Sequence, residues 1–154
     1  MKKAKKSLGQ NFIIDKNICI KIIKQTVIKN KKIIEIGPGK GFLTDLIIKH
    51  NPSEIYLIEK DNELSNYLKK KYRDLKNVKI INSDLLNIDV NILNNANIIG
   101  NLPYNVGTKI ILYLFKNSKN INEMIFMIQK EVALKFDYKI KKMNKYKFLT
   151  KIFC

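Results

Sequence analysis

With 154 residues, 45% of them hydrophobic, the chain can enclose one core and has no length for a second, so 1–154 reads as a single and incomplete domain. Its formal charge of +17 lies at the two ends: residues 1–32 hold ten lysines against Asp15, residues 130–154 hold eight against Glu131 and Asp137, and the middle is nearly neutral. That asymmetry calls for a polyanionic partner. Apolar runs no longer than IIEIG and IILYLF exclude a bilayer span, and Cys19 and Cys154, unpaired in spacing and with no His nearby, support neither a disulfide framework nor a zinc site.

The basic N-terminal segment 1–15 opens MKKAKKSLGQNF, with Lys2, Lys3, Lys5 and Lys6 as candidate contacts to the phosphates of such a polyanion. It starts like an export signal, but the IIDKNICIKIIKQ that follows is interrupted by charge, so a reducing, cytoplasmic setting is expected. Asp15 is placed to cap a helix over 16–29. Apolar runs then predict strands over 32–36, 55–59, 78–82, 97–100 and 124–128. Helical spacing predicts helices over 41–50, 62–72, 107–115 and 129–136. His50, beside Asn51-Pro52, reads as a surface or C-terminal cap residue. A basic tail, 137–154, closes the chain. Strands alternating with helices imply an α/β fold with a doubly wound parallel sheet, whose ligand sits beyond the carboxyl ends of the strands.

The residues at those ends carry the functional reading. The first strand breaks into Gly37-Pro38-Gly39-Lys40-Gly41, glycines that let the backbone turn sharply and approach a ligand. The spacing is GxGxG, which disfavours a nicotinamide or flavin fingerprint, and no GxxxxGK[ST] is present. The second strand ends in Glu59, 22 residues after Gly37, where a carboxylate can accept both hydroxyls of an adenosine ribose. After the third comes Asp84, suited to an adenine amino group. Alone, Glu59 reads more often as a surface carboxylate and Asp84 equally as a helix cap; with the glycine loop, behind three consecutive strands, they form a constellation.

The fourth strand delivers Asn101-Leu102-Pro103-Tyr104. An exocyclic amine on a base is a poor nucleophile, because its lone pair is delocalised into the ring. The Asn101 side-chain oxygen and a main-chain carbonyl at Leu102 or Pro103 can accept its two hydrogens and aim the lone pair at a methyl donor. Pro103 fixes its own φ and restricts Leu102 to an extended conformation. Tyr104 offers a face on which a base can stack, worth about 1 to 3 kcal/mol in single-strand binders.

These segments together resemble the ribosomal RNA adenine N6-dimethyltransferase family. The matching stretches are KKSLGQNFIID (5–15), IIEIGPGKGFLT (33–44), YLIEKD (56–61), INSDLL (81–86), IIGNLPYNVGT (98–108) and MIFMIQKEVALKF (124–136). The resemblance implies a Rossmann-like class I methyltransferase fold, S-adenosylmethionine as cofactor, no metal, and action as a monomer on small-subunit ribosomal RNA in the pre-30S particle. It assigns Asn11, Ile13, Gly37, Gly39, Glu59, Asp84 and Asn101 to the cofactor, and Asn101, Leu102, Pro103 and Tyr104 to the target adenine. The family's sixth strand would begin near Phe148; a seventh strand and a small helical domain beyond Cys154 are absent from the sequence, leaving the fifth strand as an edge. Two alternatives remain open: an adenine methyltransferase of large-subunit RNA that confers antibiotic resistance, and an RNA-binding ribosome-assembly factor without turnover.

Overall fold

The computed structural model describes residues 15–103 and 106–137. The QNF segment, Tyr104 and the predicted strand near Phe148 therefore lie outside the described residues. In chain order the elements are α1 (Lys16–Ile23), β1 (Lys32–Ile36), α2 (Phe42–Ile48), β2 (Glu54–Ile58), α3 (Asn62–Lys71) and β3 (Val78–Ile81). Two 3₁₀ turns, Leu85–Asn87 and Val90–Leu93, then lead to β4 (Ala96–Asn101) and α4 (Gly107–Lys116); a third, Ser118–Asn120, leads to β5 (Glu123–Met127) and α5 (Lys130–Phe136). All five strands are parallel, in the order β3-β2-β1-β4-β5. The doubly wound sheet expected from the alternation is present, and β5 is an edge among the described residues.

Isoleucine dominates the sheet because its strands are covered on both faces, which removes the polar-out half of the usual strand alternation. Ile33, Ile55, Leu57 and Ile99 face α1, α2 and α3, meeting Cys19, Ile22, Leu43, Ile47 and Leu68. Residues of the other parity, Ile34, Ile36, Ile58 and Ile98, face α4 and α5. There Phe115 and Phe136 meet edge to face, with ring centroids 6.0 Å apart. No helix among the described residues is long and apolar enough to cross a membrane.

Local signals set most boundaries. The Asp15 side chain accepts from the Asn17 amide at 2.8 Å and starts α1, as its position predicts. His50 donates from Nδ1 to the Leu46 carbonyl at 2.9 Å, the cap role read for it. The predicted first helix runs six residues too far: α1 stops at Ile23, not Lys29. A long-range contact overrides the helical pattern here. Asn97, buried at the foot of β4, donates to Thr26 Oγ1 at 2.9 Å and to the Val27 carbonyl at 3.1 Å, pulling the chain out of the helix so that Ile28 enters the core.

Gly100 lies where β4 passes β1, and a Cβ there would stand 2.9 Å from the Ile36 carbonyl oxygen. Gly100→Ala is therefore expected to lower unfolding free energy by about 1 to 3 kcal/mol, as overpacking does. Urea denaturation monitored by far-UV circular dichroism measures it.

Candidate functional site at the carboxyl ends of the strands

Register levels the site. Ile36 pairs with Ile58 on one side and Gly100 on the other, and Ile58 pairs with Ile81. The next residue of each strand, Gly37, Glu59, Asn82 and Asn101, thus emerges in one row. The Gly37 amide donates to the Ile58 carbonyl and the Glu59 amide to the Ile81 carbonyl, each at 3.0 Å, which holds the row together just beyond the strands. A Cβ on Gly37 would lie 3.7 Å from the Asn101 carbonyl, so the glycine loop and the NLP segment border the same crevice. Gly37, Gly39 and Gly41 all have positive φ (66°, 59° and 78°), a backbone path that side-chain-bearing residues follow only under strain.

Glu59 is 6% exposed, and its carboxylate accepts the Gly39 amide at 3.2 Å and the Asp61 amide at 2.9 Å. Burial raises its pKa, while those two amides pull in the opposite direction. It therefore joins the tip of the glycine loop to the start of α3, where Asp61 caps Glu63 and Leu64.

Asp84 sits three residues past β3 and takes the cap role that its position allowed. Its Oδ1 accepts the Leu86 amide at 3.1 Å, capping a 3₁₀ turn, and its Oδ2 pairs with Lys60 Nζ at 2.8 Å. Partial burial pushes its pKa up, but the bonds from Lys60 and Leu86 outweigh that and leave it below the ordinary carboxylate value.

Across the crevice, Asn101 ends β4 half-buried, and Leu102 is buried with its amide donating to the Met127 carbonyl at 3.1 Å. Of the two candidate carbonyls, that of Pro103 is already engaged. Pro103 O already accepts from the Gly107 amide at 2.9 Å and the Val106 amide at 3.3 Å as α4 begins, filling both its lone pairs. Asn11, Ile13, Tyr104 and the lysines at 2, 3, 5 and 6 lie outside the described residues. No group of three or more metal-ligating side chains occurs among the described residues.

Glu35 was missed as a polar anchor, though a lone carboxylate inside IIEIG is itself a signal. It is buried in β1, and Thr44 Oγ1 on α2 donates to it at 2.6 Å. Burial raises its pKa to about 7, with Asp45 and Glu59 adding to the rise and the Thr44 bond opposing it. Also unforeseen were Lys60, which pairs Asp84, and Tyr72, whose hydroxyl donates to Asp45 at 2.7 Å.

Residues 1–154 match the family described as ribosomal RNA adenine dimethylase. The chain belongs to that family. Over 136 residues it is 43% identical to ribosomal RNA small subunit methyltransferase A of Pelagibacter ubique, covering 85% of this chain and 51% of that protein. Its fold is that of a dimethyladenosine transferase from Plasmodium falciparum (TM-score 0.79, 23% identity, 91% of this chain and 52% of that one). It is also that of the 23S rRNA methyltransferase ErmE (TM-score 0.74, 21% identity, 87% of this chain and 54% of that one). The chain spans about half the length of the curated relatives it matches. The fold it shares with these structures is a parallel α/β sheet of strand order β3-β2-β1-β4-β5.

The folded-state pKa of Glu35 lies above its ordinary value of 4.5, so the unfolded chain releases this proton first as pH rises. The carboxyl's contribution to stability is greatest below about pH 4.5 and is lost between there and about pH 7. Glu35→Gln is expected to remove that loss, so that the stability of the parent minus that of the variant falls by up to about 3 kcal/mol across this window. Urea midpoints measured from pH 4.5 to 8 test it; parallel profiles would contradict it.

Proposed function

We propose that this chain carries out S-adenosylmethionine-dependent N6-dimethylation of adenines in small-subunit ribosomal RNA during ribosome assembly. The observation that carries this reading is the level row of Gly37, Glu59 and Asn101 around one crevice, with the Leu102 carbonyl beside Asn101. Membership of the dimethylase family and the 43% identity to a small-subunit methyltransferase support it. The reading places the protein in the cytoplasm as a monomer acting on the pre-30S particle.

The residues fit the cofactor. The loop 37–41 carries no side chain at three of its five positions, all of positive φ, so ligand atoms can approach its backbone. Glu59, fixed against the Gly39 amide, takes the ribose hydroxyls, with Gly37 and Gly39 alongside. Asp84 takes the adenine amino group, which displaces Lys60; that lysine is 63% exposed and has solvent to move into. Asn11 and Ile13 complete the cofactor contacts. S-adenosylmethionine supplies an electrophilic methyl group on a sulfonium. Asn101 Oδ1 and the Leu102 carbonyl accept the two hydrogens of the target amine and direct its lone pair, with Tyr104 stacking on the base. Pro103, locked by its bonds to the start of α4, holds the Leu102 carbonyl in aim.

Asn101→Ala is expected to lower methyl transfer to pre-30S particles by about 100-fold or more, the scale seen when one positioned polar group is removed from a reacting centre. S-adenosylmethionine affinity should change by only a few-fold, because Glu59 and Asp84 remain. Calorimetric titration followed by transfer of labelled methyl groups measures both. A parent that binds the cofactor but methylates no RNA would instead be an assembly factor. Methylation of large-subunit RNA alone would overturn the substrate.

Basic character continues from the N-terminal segment onto α1 and its exit, where Lys16, Lys21, Lys24, Lys29 and Lys31 are exposed. Reversing Lys2, Lys3, Lys5 and Lys6 to Glu is expected to weaken RNA binding and reduce the slope of log affinity against log salt by roughly 3, on the scale of about 0.7 per phosphate contact. Filter binding across a salt series checks this, and an unchanged slope would make the N-terminal lysines a solubility feature.

A further inference from the structure

The loop at 37–41 is the least constrained stretch of the site by sequence, since glycines lose more conformational freedom on ordering than other residues. In the structure, three successive loop residues are each held from outside by the β2–α3 unit. Glu59, just past β2, accepts the Gly39 amide. Lys71, the last residue of α3, donates to the Lys40 carbonyl at 3.1 Å and pairs with Asp45 at 2.7 Å. Tyr72 directs its hydroxyl to Asp45 Oδ1 at 2.7 Å, with the Gly41 carbonyl 3.0 Å away.

These last contacts form a compact knot behind the loop. Tyr72 is 5% exposed, and its hydroxyl occupies the space a side chain at Gly41 would need. Burial, then the Asp45 carboxylate, raises its pKa, so the phenol keeps its proton and remains a donor. The Lys71 ammonium also lies 5.0 Å from the centre of the Tyr72 ring. Asp45, in the first turn of α2, receives both side chains and so ties the end of α3 to the element that follows the loop.

We propose that Tyr72, Lys71 and Asp45 are positioning residues for the cofactor loop, a role that rests on the function proposed above. They do not reach the reacting atoms. By fixing the Lys40 carbonyl and filling the space behind Gly41 they hold the loop in shape before any ligand arrives, so binding does not have to order it.

Tyr72→Phe and Lys71→Met test the brace separately, so that one remains informative if the other fails to fold. Each is expected to raise the S-adenosylmethionine Kd by about 5- to 10-fold, the range of one or two lost hydrogen bonds. Amide hydrogen exchange at Lys40, Gly41 and Phe42 is expected to quicken by about tenfold, while Ile98 and Ile99 in the centre of the sheet stay at the parent rate. Affinities within twofold of the parent would overturn the brace, as would exchange that quickens equally in loop and sheet, the mark of general destabilisation. A parent that itself fails to bind S-adenosylmethionine would overturn the function proposed above as well; a parent that binds while both variants match it would overturn the brace alone.

Discussion

Everything at the carboxyl edge depends on how β1 is paired. It is the strand at which the winding direction reverses, with β2 and β3 laid down on one side and β4 and β5 on the other. At such a reversal the connections leave in opposite directions, and a crevice opens between them. In-register pairing with both neighbours then makes Gly37, Glu59 and Asn101 arrive level. A shift of one residue in either pairing would turn one of these groups to the opposite face of the sheet. The isoleucines at 33, 34, 98 and 99, all fully buried, resist that shift, because each would leave a fitted core position.

A second layer of organisation is polar and lies on the α1–α3 face. Glu35 ties β1 to Thr44 on α2, Glu59 ties the loop to the start of α3, and Asp45 ties α2 to the end of α3. Three carboxylates thus converge around one short loop, and burial raises the pKa of two of them, with Asp45 and Glu59 adding to the rise at Glu35 and Asp61 adding to that at Glu59. The balance is a loop fixed without side chains of its own. Its neighbours supply contacts that its glycines cannot.

Much of this was legible in the sequence, for identifiable reasons. Alternating apolar runs reveal all five strands and five helices because each element buries a face with its own period. GPGKG, Glu59 and Asn101 stood out because they close successive strands, and the register brings them level. What was hidden depended on partners distant in sequence. The end of α1 is set by Asn97, some 70 residues downstream, and no local pattern encodes that bond. That the start of α4 occupies the Pro103 carbonyl was likewise not readable from the local sequence. Tyr72 looked like one more apolar residue closing a helix; only the tertiary fold shows its hydroxyl behind Gly41.

The central claim is that one crevice at the β1/β4 reversal holds the cofactor. Backbone amide shifts recorded by NMR as S-adenosylhomocysteine is added test it most directly. Shifts are expected at Gly37, Gly39, Glu59, Lys60, Asp84, Asn101 and Leu102, with the foot of the sheet at Lys32, Asn97 and Glu123 undisturbed. Saturable shifts confined to the foot, or no shifts at ligand concentrations in the millimolar range, would contradict it.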